Sequence, residues 1–225
     1  MERKWGGYYV AVEGIEGCGK TTQAEHLAEN LRRELGNREV VLTQEPGGCN
    51  LGSKIREVLE LEMEPEAEAY CFATARAQSI REIVRPALDR GAVVVSDRSI
   101  YSSFAYQGGG RKLGRDRIWE INKEAVGETL PDQIILIDLP VEVGLARKEK
   151  DESLGRLIRL DNQKIDFYRE VRRDYLEMAY EDSDRWVVVD GQGRREEIAT
   201  EILGKVLPRV KGAIGENENR KCLIK

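Results

Sequence analysis

Eight residues near the start of the chain carry its most specific chemistry. Gly14-Ile15-Glu16-Gly17-Cys18-Gly19-Lys20-Thr21 follows the spacing G-x-x-x-x-G-K-[ST]. Glycines at these positions let the backbone curl until successive N–H groups point inward at phosphate oxygens. A helix beginning at Lys20 adds the positive end of its dipole. Lys20 supplies a compact charge for the outer phosphates, and the Thr21 hydroxyl is placed to ligate Mg2+, with Thr22 next along the helix start. The alternative, a glycine-rich turn beside an exposed lysine, does not account for the strand pattern before the loop and the helical pattern after it. The motif reads as a site for a nucleoside triphosphate with Mg2+. It does not say what accepts the phosphate.

A second pair, Asp97-Arg98, follows directly on the apolar run Ala92-Val93-Val94-Val95. In a parallel sheet the carboxyl end of that strand lies beside the loop. A carboxylate there can hold Mg2+ through water, and an arginine can grip an incoming anion with two prongs. Read alone, the pair is equally compatible with a surface ion pair at a strand end.

The elements that must position these residues are legible as periodicity. Tyr8 to Glu13 reads as a strand running into the loop. Ala24, Leu27, Ala28, Leu31 and Leu35 then share one helix face, closed by Gly36 and Asn37. Val40 to Leu42 reads as the next strand, Glu45 to Gly48 as a turn, and Leu51 to Leu61 as a helix. Pro65 opens a helical stretch to Asp89, kinked or broken near Pro86. Ala92 to Val95, Ile134 to Ile137 and Trp186 to Val189 are further strands, with helices expected over about 162–180 and 194–210. Five strands of continuous Val and Ile, alternating with helices, predict an α/β three-layer fold: a five-stranded parallel sheet flanked by helices on both faces. One domain over 1–212 and a polar C-terminal tail over 213–225 are expected.

Composition excludes several classes. The 225 residues are 40% hydrophobic and 34% charged, with 36 Lys and Arg against 41 Asp and Glu, a formal net charge of −5. That balance offers no bulk attraction to nucleic acid or anionic lipid, so an anionic ligand needs a local basic site. No apolar run approaches the roughly 20 residues of a membrane-spanning helix, and the first residues lack the apolar core of a secretory signal. The four cysteines show no paired spacing and His26 is the one histidine. A Cys/His zinc site and a histidine base are disfavoured, and a reduced, cytoplasmic protein is expected. Scattered tryptophans give no stacking platform for nucleic acid.

The chain as a whole resembles the thymidylate kinases, P-loop nucleoside monophosphate kinases that phosphorylate dTMP. The resemblance rests on Val12 to Gln23, on Glu45-Pro46-Gly47-Gly48 and on Phe72-Ala73-Thr74-Ala75-Arg76-Ala77-Gln78. It continues in Asp97-Arg98 through Ser102-Ser103-Phe104-Ala105-Tyr106-Gln107-Gly108, and in Phe167-Tyr168 through Tyr175-Leu176. These markers follow the family's order and spacing to about Gly191.

The resemblance implies roles. Gly14 to Thr22 would bind ATP, with Glu16 facing the gap between ATP and acceptor. Phe72 would stack on thymine, Arg76 would hydrogen-bond the base edge, and Arg98 would bind the acceptor phosphate with Asp97 near the metal. Ser103, Tyr106 and Gln107 would line the deoxynucleoside pocket, Tyr106 excluding a 2′-hydroxyl. Residues 147–161, with Arg147, Lys148, Lys150, Arg156 and Arg159, resemble the lid that closes over ATP; a solvated charged loop is the plain alternative. Where one branch of the family has an arginine in the loop, this chain has Gly17, so a lid arginine is implied, Arg159 before Arg156. Gln44 stands where the family often has arginine, and Cys49 where it often has threonine. A homodimer, through helices flanking the acceptor site, is also implied.

A phosphate monoester with its second pKa near 6 is mostly dianionic at neutral pH, so such a transfer needs no general base. Catalysis would rest on aligning two repelling anions and neutralising their charge. Two other readings remain: a kinase of another deoxynucleotide or a deoxynucleoside, and a nucleotide-binding switch with no small acceptor.

Overall fold

The structure, a computed structural model, describes residues 5–150 and 165–223. Its centre is one sheet of five parallel strands: β1 Tyr8–Glu13, β2 Val40–Gln44, β3 Val93–Asp97, β4 Gln133–Asp138 and β5 Trp186–Asp190. Their order is β2-β3-β1-β4-β5. Both faces of the three inner strands are covered, which is why Val10, Val12, Val93, Val94, Val95, Ile134 and Ile135 are wholly buried and why their sequences are continuous rather than alternating. From β1 the chain crosses towards β2, and from β3 it crosses the other way to β4. The crevice opened by that reversal lies above the carboxyl ends of β1 and β3, where α/β sheets bind ligands. Val12 pairs in register with Asp97, so the loop after β1 and the Asp97-Arg98 corner are neighbours.

Helix α1 (Lys20–Leu35) buries Ala24, Leu27, Ala28 and Leu31 and ends at Gly36, as its spacing predicts. Helix α2 (Asn50–Val58) is capped by Cys49, whose sulfur accepts the Gly52 N–H at 3.3 Å. The helical stretch from Pro65 is α3 (Pro65–Ser79), a π-helical turn over Ile80–Val84, and α4 (Arg85–Asp89). The expected distortion near Pro86 takes the form of that wide turn, in which Arg85 N–H reaches back to Ile80 O. Pro86 has no N–H to offer the preceding turn, and a local π widening accommodates the gap.

Four elements were not foreseen. α5 (Ile100–Ser103) runs into a π-helical segment, Phe104–Gly110, followed by α6 (Arg115–Val126); α7 (Val141–Lys150) follows β4. Then α8 (Ile165–Glu181) leads to β5, and α9 (Arg195–Leu223) continues well past the pattern that ends near Val210, through Pro208. The expected tail is therefore helical backbone as far as Leu223. Of the expected lid, residues 147–150 close α7, and 151–161, including Arg156 and Arg159, lie outside the described residues. Among the described residues no helix is long and apolar enough to cross a membrane.

Candidate active site

The loop between β1 and α1 takes the left-handed backbone its glycines permit, with φ of 73° at Gly17 and 90° at Gly19. Gly17 also has no room for a side chain: a Cβ there would lie 2.0 Å from Gly144 O of α7. Lys20 is buried, its Nζ donating to Ile15 O at 3.3 Å and lying 3.6 Å from Glu16 Oε2. Thr21 Oγ1 donates to Asp97 Oδ2 at 2.5 Å, while Asp97 Oδ1 is buried with no hydrogen-bond partner among the described residues. A hydroxyl beside a carboxylate with an unused, buried oxygen is a hard-oxygen donor set that suits Mg2+.

Arg98 turns the chain out of β3 in a left-handed conformation, φ 74°, unusual for a residue with a side chain. Its guanidinium lies 5.0 Å from the centre of the Tyr106 ring, donates to Ser102 Oγ at 3.2 Å and pairs with Glu16 Oε1. Tyr106 also donates to Glu16 Oε1, at 3.2 Å. Burial pushes the Glu16 carboxyl up, but Lys20 and Arg98, with Lys148 beyond, outweigh it and hold the group at about 2. Beneath Arg98 lies a carboxylate that sequence reasoning missed. Glu13 is wholly buried and accepts from Ser99 Oγ and Ser102 Oγ at 2.6 Å each and from Tyr175 OH at 2.8 Å. Burial raises its pKa, opposed by those hydroxyls and by the Arg98 charge. Ser102 thus links a buried acid to the arginine above it.

Phe72, Arg76, Ser103, Tyr106 and Gln107 meet around one small cavity of about 60 Å³, together with Glu16, Glu45 and Arg98. The i, i+4 spacing of Phe72 and Arg76 brings both to it. Arg76 is more deeply engaged than its sequence discloses: only 2% exposed, it donates through Nε to Glu45 Oε2 at 2.8 Å and through Nη1 to Asn122 Oδ1. Its Nη2 donates to Ser99 O and Ser103 Oγ at 3.1 Å each.

A larger cleft of about 620 Å³ lies on the other side of Glu16 and Arg98. The loop from Glu16 to Thr22 lines it, as do Asp97, Arg147 and Lys148. Gly14 and Ile15 form the start of the loop and stand outside this lining. Arg56, Gly193 and Arg195 line the cleft as well and were not anticipated. Gly193 and Arg195 follow β5 at the sheet's carboxyl edge, a position that could have pointed to them. Arg147 Nη1 donates to Gly191 O at 2.9 Å, and Gln23 Nε2 to Arg195 O at 2.9 Å, fixing this segment against the loop. Arg56 of α2 lines the cleft beside Gln44 and offers the cation that Gln44 does not. The two cavities share Glu16, Glu45, Pro46 and Arg98, so what fills one abuts what fills the other.

The family model for thymidylate kinase matches residues 12–202. The chain belongs to the thymidylate kinase family. It is similar to the thymidylate kinase of Leuconostoc mesenteroides, 43% identical over 203 residues, 88% of this chain and 91% of that one. It is 43% identical to the thymidylate kinase of Geobacter sulfurreducens over 211 residues, 91% and 98% of the two chains. With that of Pseudomonas fluorescens strain Pf0-1 the identity is 45% over 188 residues, 82% and 87%. The stretch shared with the thymidylate kinase family runs from the end of β1 into α9 and holds the loop, Asp97-Arg98 and the walls of both cavities.

Proposed function

We propose that this chain transfers the γ-phosphoryl group of ATP to dTMP, giving dTDP and ADP. The observation that carries the reading is the meeting of a phosphate-loop cleft with an aromatic-walled pocket at Glu16 and Arg98. A nucleotide switch has no use for that second cavity.

In this reading ATP lies in the larger cleft, its phosphates on the loop N–H groups and Lys20, with Arg147, Gly193 and Arg195 towards its far end. The monophosphate lies in the smaller pocket, Phe72 against the base, Ser103, Tyr106 and Gln107 around the nucleoside, and Arg98 and Arg56 on its phosphate. Lys20 and Arg98 exchange Glu16 for phosphate oxygens as the two anions arrive. Thr21 and Asp97 would hold Mg2+, which when bound neutralises charge on the transferring group. Arg159 or Arg156 supplies a further cation from the lid. His26 lines neither cavity, in keeping with a dianionic acceptor that needs no base.

Helices α2, α3 and α6, at the acceptor end, carry the exposed side chains of Leu51, Tyr70 and Trp119, which a homodimer through those helices would cover. Sedimentation of the wild type and a Trp119→Glu variant tests it: dimer for the first and monomer for the second.

The activity test is ATP consumption with Mg2+ against dTMP, dUMP, dCMP, dGMP and thymidine in turn. Turnover greatest with dTMP is expected. Silence with dTMP alongside turnover of another acceptor would overturn the reading.

A further inference from the structure

One wall of the acceptor pocket is held from behind by a carboxylate outside the pocket's lining. Glu68, in the first turn of α3, is 1% exposed. Arg111 grips it from two sides, Nε to Oε1 at 3.3 Å and Nη2 to Oε2 at 3.0 Å. Arg111 is itself seated 5.2 Å from the centre of the Phe167 ring. Into this clamped carboxylate the buried Gln107 donates, Nε2 to Glu68 Oε1 at 2.9 Å.

An amide side chain can present either its oxygen or its NH2 group, but an ionised carboxylate only accepts. Rotating the Gln107 amide by half a turn would set its oxygen against Glu68 Oε1, exchanging a charge-assisted hydrogen bond for repulsion. Glu68 therefore fixes the polarity of that amide: NH2 away from the acceptor and carbonyl oxygen left over. The oxygen accepts no hydrogen bond from any described residue, and Gln107 lines the pocket beside Phe72, Arg76 and Ser103. Arg76, in the lining of the same pocket, has four of its five N–H groups engaged, leaving one on Nη1.

We propose that Glu68 sets the base selectivity of the acceptor pocket by locking Gln107 with its carbonyl oxygen towards the base. The reading rests on the acceptor assignment made above and deepens it. A wall that offers one acceptor beside one donor matches a ring N–H next to a ring carbonyl, as in thymine and uracil. Cytosine presents the inverse, a bare ring nitrogen next to an amine, and meets acceptor with acceptor and donor with donor. A site built to pair a polar edge rejects the mispaired analogue strongly, because its own buried groups are left unmatched. Glu68 touches no substrate in this scheme; it is a positioning residue.

Steady-state kinetics of the wild type and Glu68→Gln with dTMP and dCMP test it, with melting temperatures as a check on folding. Glutamine at 68 can donate as well as accept, so it frees the Gln107 amide to turn. The ratio of kcat/KM for dCMP to that for dTMP is expected to rise at least about tenfold, mostly through KM, as for loss of a single base-reading contact. Glu68→Asp, which still only accepts, should keep the wild-type ratio even if it is less stable. Should Glu68→Gln fail to fold, the double variant Glu68→Gln/Arg111→Gln, which removes both members of the buried ion pair and still lets residue 68 donate, carries the same comparison. An unchanged ratio in the variant that folds, or an equal change in Glu68→Asp, would remove the proposal alone. A wild type silent with dTMP would instead remove the acceptor assignment beneath it.

Discussion

Arg98 reaches across the junction of the two cavities to Glu16, and Lys20 Nζ lies 3.6 Å from the other oxygen of the same carboxylate. Two cations suited to two different phosphates thus share one internal anion. In the proposed reading each phosphate takes its cation from Glu16, and whichever cation leaves first leaves Glu16 paired with the other alone.

The charge of Glu16 has a consequence for stability. Its pKa in the fold, about 2, lies below the ordinary carboxylate value of 4.5. A depressed pKa adds stability that is complete above about pH 4.5 and drains away as pH falls through 2. Glu16→Gln should cost roughly 1–2 kcal/mol at pH 6, less than a fully buried pair because the Glu16 side chain is partly exposed. Urea unfolding at pH 6, 4 and 3 should show the gap between wild type and variant narrowing with acid; a gap constant with pH contradicts the assignment.

Lys20→Ala separates chemistry from folding. The lysine is bound to the loop by one hydrogen bond and one ion pair, and Glu16 keeps Arg98 when it is lost. Turnover should fall by about 100-fold or more, the scale for removing one preorganised charge donor. The melting temperature should move by only a few degrees. Loss of both in proportion would make Lys20 a structural residue.

The backbone of Arg98 offers a test free of its chemistry. Arg98→Ala and Arg98→Gly both remove the guanidinium, yet only glycine sits at φ 74° without strain. The glycine variant should be the more stable of the two by about 1 kcal/mol. Equal stabilities would mean that the left-handed turn carries no cost.

Ser102→Ala should uncouple Arg98 from Glu13. The buried carboxylate keeps Ser99 and Tyr175, so the stability loss should be about 1–2 kcal/mol, the cost of one buried hydrogen bond. Arg98 loses its Ser102 anchor at 3.2 Å, and KM for dTMP should rise several-fold while KM for ATP stays put. A rise in both constants alike would place the effect outside the acceptor side.

The sheet was legible because buried parallel strands demand continuous Val and Ile, and turn residues bounded each run. Phe104–Gly110 was not, since Phe-Ala-Tyr-Gln-Gly-Gly-Gly reads locally as a loop. Tertiary contact makes it helical: a Cβ on Gly109 would lie 2.2 Å from Asp174 Oδ2, and one on Gly110 would lie 2.4 Å from the Phe167 ring. The glycine loop and the helix start at Lys20 could be read from the sequence because that motif is local. Glu13, Glu68 and Arg56 could not, because their partners or cavity lie dozens of positions away and only the fold joins them. Arg76 shows the same limit from the other side: its place on the pocket face followed from spacing, while its partners Glu45 and Asn122, from β2's end and α6, did not.

Gly144 occupies the space a side chain on Gly17 would need, and a Cβ on Gly144 would lie 2.5 Å from Glu16 O. The glycines interlock like two cogs with no play, so the first helix after β4 cannot slide along the loop without dragging it. Arg147 and Lys148 of that helix line the larger cleft. Those two cations are consequently held in register with the loop that lines the same cleft.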